Sequence, residues 1–440
     1  MKKDLLELAN SAVRTALASG AGACSVSVST GRFVEIEYRE RKPETLKEAS
    51  TRDLLVRLYV EGRYSAQSTS DLRPDALKRF IGDAVQMTKL IAQDPERTLP
   101  DAKYFEERQT IDLDLVDPQQ QRLAAADRHE LVKAAEAACL AAGGAKVVSA
   151  TSGWTDGYSE GLLLTSNGFE GYSESTYFAQ NVDLTFQDEG DRRPNGYDGA
   201  VARRKADLPT PETIGVGAVT RTRALMGGKK IRTETLPVII ENRSVGRVLG
   251  NLLQAMGGRA IQQKQSFLAD KQGQKIGSDL LTLIDDPFVP RGLGSRLYDG
   301  EGITAKKRTM IEAGVLKEFY VDWYYGRKLG WEPTTGGPSN LILPSGQRSV
   351  AEIMKDLGRG ILITDFIGGN ANSTTGDASI GITGHLFENG EITQAIAEMN
   401  IAGNTLDFWS KLAEVANDPW PYSSLRVPSL AFKDVVVSGI

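Results

Sequence analysis

The chain has 440 residues, a formal net charge of -5, 40% hydrophobic residues and 25% charged residues. Its length exceeds a usual single domain and predicts more than one core, while the acidic balance excludes a general nucleic-acid binder, which needs a basic surface to displace counterions. No apolar run is long enough to span a bilayer, and the opening MKKDLLELANSAVRTAL carries acids where a signal peptide would be apolar, so the cytoplasm is the expected compartment. The two cysteines, Cys24 and Cys139, make no disulfide framework, and their small or apolar neighbours suit buried thiols.

Residues 4 to 19 read as a helix. Alternating runs Ser25 to Thr30 and Phe33 to Tyr38 predict a hairpin turning at Gly31, and Leu54 to Val60 with Arg63 to Ser68 a second one at Glu61-Gly62. Pro74 to Ala92 is helical again, with Pro74 accepted in a first turn, and residues 93 to 116 read as a connecting segment. The same order then recurs. Pro118 to Ala142 predicts a helix, Lys146 to Trp154 and Gly161 to Ser166 a hairpin through Asp156-Gly157, Gly171 to Tyr177 and Asn181 to Phe186 another hairpin, and Pro211 to Met226 a closing helix. Residues 189 to 205 are polar and expected to be exposed. The resulting expectation is an α+β fold of two domains, rich in antiparallel sheet: a duplicated helix-strands-helix half over residues 1–232 and a glycine-rich half over residues 233–440.

In the second half, Val238-Ile239-Ile240 reads as a strand buried on both faces. It is followed by a helix from about Ser244 to Met256 whose stripe is Val245, Val248, Leu249, Leu252 and Leu253. Asn389-Gly390 between apolar flanks is a two-residue hairpin signal, because both central residues must accept positive φ. Leu406, Trp409, Leu412 and Val415 recur at helical spacing after Asn404.

The stretches TTGDASIGITGHLFENGEI (374–392) and NIAGNTLDFWSKLAEVAND (400–418), with YDGEGITAKKRTMIEAGVLKEFYVDWYYGRKLG (298–330), resemble the TldD/PmbA family. That family comprises zinc-dependent peptidases and metal-free paralogues, also described as modulators of DNA gyrase. In its zinc-bearing members the helix after the Val238 strand carries HExxxH. The aligned hexad here runs from Gly250 to Ala255, with Gly250 and Ala255 at the histidine positions and Asn251 at the glutamate position. None of the three supplies the imidazole or carboxylate that zinc ligation and general-base chemistry require. The relatives' C-terminal cysteine is also missing, since nothing after Cys139 is a cysteine.

Other chemistries lack their residues. His129-Glu130 is followed by Lys133 and Ala134, which fit neither HExxH nor HExxxH. Cys139 lies about 15 Å further along the same predicted helix, too far to share an ion with His129. Gly376 to Gly381 reads GDASIG, one place off a nucleophile elbow, and Gly292-Leu293-Gly294 and Gly228-Lys229 lack the rest of a dinucleotide loop and a P-loop. Asp299, Glu301, Asp377 and Glu391 are either turn acids or a carboxylate cluster that the fold would have to assemble. His385 reads as a hydrogen-bonded structural histidine.

What the resemblance implies is a metal-free, PmbA-like (TldE-like) subunit without a cofactor, forming a homodimer or a heterodimer with a zinc-bearing TldD-like paralogue and enclosing peptide substrates. Gly376, Asp377, Ser379 and His385 are the candidate peptide-groove residues, in glycine-cornered strands whose free edges could accept an added strand. The alternative is a self-sufficient hydrolase with a site the motifs do not reveal. Direct DNA binding and a membrane association are not expected.

Overall fold

The computed structural model describes residues 2–439. The first half is built from α1 (Lys2–Ala18), β1 (Ala23–Arg39), β2 (Lys42–Val60), β3 (Arg63–Thr69) and α2 (Pro74–Thr88), and then α3 (Ala125–Gly143), β4 (Val147–Thr165), β5 (Glu170–Phe186), β6 (Asn195–Ala202) and α4 (Pro211–Ala224). Each copy is thus helix, three strands, helix, and the two copies merge into one antiparallel sheet of order β3-β2-β1-β4-β5-β6.

Three expected turns do not exist. Gly31 lies inside β1, opposite Thr51 and Ser159, and Gly157 lies inside β4, opposite Phe33 and Tyr177. Gly157 has no side chain because a Cβ there would stand 2.5 Å from the Tyr177 ring and 3.1 Å from the Arg32 carbonyl oxygen. Asp156 is also buried rather than turned outward. Its carboxylate accepts from Arg128 Nε at 2.5 Å, Gln120 Nε2 at 2.8 Å and Trp154 Nε1 at 2.8 Å. The pair expected between Gly171–Tyr177 and Asn181–Phe186 is likewise one strand, and β6 arises within the segment expected to be an exposed loop. Helices cover one side of the sheet, where Leu5, Ala9, Ile81 and Val85 meet Val26, Val56 and Leu58. In the second copy, Ala135, Cys139, Ile214 and Ala218 meet Val182, Leu184 and Phe186. Both cysteines are buried and unbridged.

The second half begins with β7 (Glu234–Ile240), α5 (Val245–Ala255), α6 (Gly258–Gln262), β8 (Leu283–Asp286), β9 (Arg308–Glu312), β10 (Val315–Leu316), α7 (Trp323–Leu329), β11 (Asn340–Ile342) and α8 (Val350–Leu357). It ends with β12 (Arg359–Ala371), β13 (Asp377–Glu388), β14 (Glu391–Asn404), α9 (Thr405–Ser410), β15 (Leu412–Val415), β16 (Leu425–Arg426) and β17 (Leu430–Ser438). Strands β14-β13-β12-β7-β17-β15 form one sheet, and Asn400 and Ile401 of β14 also pair with Ser438 and Val437 of β17. That second pairing curls the sheet into a partly closed barrel, against whose core α5 lays Val245, Val248, Leu249 and Leu252. A smaller sheet has the order β10-β9-β8-β11-β16.

The β13–β14 turn is the one expected: Asn389 and Gly390 have φ of 54° and 89°, and Glu388 pairs with Glu391. The helix expected to reach Val415 ends at Ser410, and Leu412 and Val415 instead belong to a strand paired with β17. Helical spacing over four apolar residues did not separate a short helix and strand from one long helix, because both bury the same side chains.

Candidate functional site

Helix α5 is fixed at both ends. At its start, Ser244 Oγ donates to the Thr364 carbonyl at 2.7 Å, and the Asn242 N–H donates to Ser429 Oγ at 3.0 Å. At its end, the Gly258 N–H donates to the Tyr320 carbonyl at 2.7 Å and the Tyr320 N–H to the Met256 carbonyl at 3.0 Å. These bonds leave the helix little freedom to rotate, so the direction of each hexad residue is set by the fold. Gly250 points outward, with no atom within 4 Å of where a Cβ would stand. Asn251 is half-buried, and its amide has no hydrogen-bond partner among the described residues. Ala255 is fully buried in the barrel core. The three positions therefore face three environments.

Asn251 lies at a pocket of roughly 170 Å³ between α5, the β13–β14 hairpin, α9 and β17, with Ala378, Ile380, Phe408 and Val435 among its walls. Lys411 and Asp407, paired at 2.7 Å, line it as well. The corner beside it is rigid. Gly376 has φ of 84° and its carbonyl accepts both the Thr405 N–H and the Thr405 hydroxyl at 2.7 Å. A Cβ at Gly376 would stand 3.2 Å from the Phe267 ring. Asp377 is exposed; it accepts from Thr375 Oγ1 at 2.8 Å and Asn404 Nδ2 at 3.2 Å, and these bonds hold its carboxyl below the usual range. Ser379 is exposed and accepts from Asn400 Nδ2 across the hairpin at 3.1 Å.

His385 is not part of this site. It lies six residues along β13 from Ser379, about 20 Å at strand rise, and is buried between Leu362 and Ala395 of the neighbouring strands. Its Nδ1 has no partner among the described residues, which differs from the hydrogen-bonded histidine expected, and burial holds its pKa below the ordinary value. The four acids also separate. Asp377 is at the corner, Glu391 at the hairpin tip, and Asp299 and Glu301 share a turn against α7, where the Trp323 N–H donates to Glu301 Oε2 at 3.0 Å. Burial, with the charges of Asp299 and Asp322, pushes Glu301 up to about 7. His129 accepts from or donates to the Tyr38 hydroxyl at 3.0 Å, as a packing contact on α3.

The walls contributed by α9 and β17 were not legible in the sequence as site residues. They are brought to Asn251 by the barrel closure at Ile401–Val437, a long-range pairing with no local signal.

Sequence profiles of the PmbA/TldA metallopeptidase domains match nearly the whole chain: domain 1 over residues 24–88, the central domain over 119–226 and the C-terminal domain over 233–439. Metalloprotease PmbA of Escherichia coli O157:H7 is 30% identical over 444 residues, covering 100% of this chain and 97% of that protein. The chain belongs to the PmbA/TldD family. A homologue of metalloprotease PmbA from Haemophilus influenzae is 26% identical, again over 100% of this chain and 97% of its own length. Among solved structures, a proposed modulator of DNA gyrase from Bacteroides thetaiotaomicron is 36% identical and superposes with a TM-score of 0.96, covering 99% of this chain and 98% of that one. TldE from Thermococcus kodakarensis, at 22% identity, shares the fold with a TM-score of 0.86 over 98% and 100% of the two chains.

A metal, which a metallopeptidase family implies, does not fit the residues from Gly250 to Ala255. A glycine, an amide and a core methyl offer no first-rank zinc donor, and among the described residues no group of three or more His, Cys, Asp or Glu is placed to hold an ion. Among the described residues no helix is long and apolar enough to cross a membrane.

Proposed function

We propose that this chain is a non-catalytic, TldE-like subunit of a TldD/TldE-type peptidase system in the cytoplasm, which pairs with a zinc-bearing TldD-like paralogue or with itself and helps to enclose unfolded or modified peptides. One observation carries the reading: on a helix pinned at both ends, the positions that the zinc-bearing branch fills with histidine, glutamate and histidine hold Gly250 facing solvent, Asn251 facing a pocket and Ala255 facing the core. In this reading they are vestigial metal-site positions, and the shape beside them is kept for peptides. The corner at Gly376, Asp377 and Ser379 lines the approach to that pocket through its neighbours Ala378 and Ile380, whereas His385 has no share in it. The relatives' metalloprotease names and the TldE structure support the family half of this reading.

Elemental analysis of the purified protein is expected to find well under one zinc per chain, with no chelator-sensitive hydrolysis of an unfolded peptide. Capture from native extract is expected to bring down a zinc-bearing homologue in equal amount, and sedimentation at micromolar concentration to show a dimer with that homologue or of the chain itself. One tightly held zinc per chain, or peptide turnover by the isolated protein, would overturn it.

A further inference from the structure

The Asn251 side chain lies at the wall of the pocket. It is half-buried on a fixed helix, yet its amide, with two donors and an acceptor, has no protein partner among the described residues. The amide is not sealed from solvent, since neither of its atoms is among the buried side-chain atoms without a partner, so at the wall of a pocket it can exchange its water for the hydrogen bonds of a ligand. Of the neighbouring polar side chains, the Trp409 indole N–H is buried without a partner among the described residues and the others are engaged. Asn404 donates to the Thr375 carbonyl and accepts the Leu406 N–H, the Thr405 hydroxyl donates to Gly376, and Lys411 is held by Asp407.

The space beside that amide has a definite size. An apolar cavity of about 150 Å³ accommodates one benzene ring, and the pocket here is roughly 170 Å³, walled by Val248, Ala378, Ile380, Ile401, Phe408 and Val435. It takes one leucine- or phenylalanine-sized group, not a folded segment. Its mouth is framed by exposed Gly403 and by Val436, which is 47% exposed, so a group can enter from solvent. Ala378 and Gly403 keep that entrance low, since neither projects beyond a methyl.

We propose that this pocket binds a single apolar side chain, aromatic or branched aliphatic, of an extended peptide, and that the Asn251 amide hydrogen-bonds the peptide main chain next to that side chain. The site thereby selects one apolar residue in an otherwise unselected chain. The inference rests on the peptide-handling part of the function proposed above and is independent of whether the protein holds zinc or which subunit it pairs with. The same chemistry, a small ring beside an amide, could be offered by a free aromatic molecule, and the test separates the two sources.

The test titrates the full-length protein, by ligand-observed NMR, with acetyl-Gly-Phe-Gly-amide, acetyl-Gly-Gly-Gly-amide and toluene. The phenylalanine peptide is expected to bind at least tenfold more tightly than the glycine peptide. Asn251→Leu is expected to weaken the phenylalanine peptide about tenfold, the loss of one hydrogen bond, and to leave toluene unchanged. Ala378→Phe is expected to abolish binding of both, and Val436→Trp, a surface change at the mouth that leaves the core alone, to weaken both if the first variant does not fold. Toluene binding with no preference between the peptides would overturn the peptide assignment in favour of a free small molecule. Phenylalanine-peptide binding unaffected by the Ala378 and Val436 variants would overturn the site itself. Neither outcome bears on zinc content or on the paralogue, so failure here and failure of the subunit reading are distinguishable.

Discussion

Two acids, Asp156 buried and Glu301 half-buried, show how the same carboxyl group serves opposite purposes. Asp156 is fully buried and fully bonded, with Arg128, Gln120 and Trp154 all donating to one carboxylate. Asp156→Ala strands the Arg128 guanidinium in the interior, and urea denaturation is expected to show a loss of about 3–5 kcal/mol. Glu301 has one main-chain donor, from Trp323, and is held against Asp299 and Asp322, so its ionised form is disfavoured in the folded state. Its folded pKa of about 7 stands above the ordinary 4.5. The sign follows: the folded state is fully stable while the carboxyl is protonated in both states, below about 4.5, and loses stability as pH rises from there to about 7. A shift of that size corresponds to on the order of 3 kcal/mol. Glu301→Gln keeps the acceptor for Trp323 and removes the charge, so a series of melts between pH 5 and 8 is expected to show a flatter profile and a more stable protein at pH 8 than the parent.

At the scale of elements, α5 explains why a sequence motif and a side-chain direction are separate questions. The stripe Val245, Val248, Leu249, Leu252 read from the sequence is the buried face, with Leu253 half-buried at its edge. Ala255, one turn beyond Leu252, falls in the core at the helix end, while Gly250 falls opposite. Gly250→His is therefore expected to change stability by no more than about 0.5 kcal/mol, as a surface substitution. Ala255→His overpacks the barrel and buries an imidazole without a partner, with an expected loss of at least about 2 kcal/mol. Equal costs at the two positions, measured by chemical denaturation, would contradict the placement of the helix. The long strands of the first half teach the complementary lesson. Gly31 and Gly157 look like turns locally, and only the presence of strands on both sides, with the Tyr177 ring against Gly157, makes a glycine suit the middle of a strand.

Across the whole molecule the apolar clusters fall on one side or the other of residue 232. Two lie between β7 and β17, and three between α1 and α4. The seam between these halves is largely polar: Arg221 clasps Glu241 at 2.7–2.8 Å, Arg243 pairs with Asp198 while lying 3.8 Å from the Trp420 ring centroid, and Arg291 reaches Asp114 at 2.5 Å. Aromatic contacts of Phe169 with Tyr298 and of Tyr104 with Trp323 complete it. A division into units 1–232 and 233–440 predicts that the two fragments, expressed separately, fold and reassociate, and that raising salt weakens the reassociation because Lys103–Glu332 and Lys306–Glu107 are exposed ion pairs across the seam. Fragments that stay unfolded alone would show that the two halves form one cooperative unit.

The sequence by itself determined the α+β class, the doubling of the first half, the Asn389-Gly390 hairpin, the buried β7 strand, the α5 stripe and the family. Each depends on local periodicity, local φ requirements or a contiguous motif. Only the tertiary structure decided that Gly31 and Gly157 lie within strands, that Leu412 and Val415 leave the helix, that His385 is remote from Gly376, and that Asn251 faces a pocket whose far walls come from α9 and β17. The physical reason is common to all four. Each depends on which segments pair across the barrel or the long sheet, and apolar spacing along one segment records that a side chain is buried but not what it is buried against.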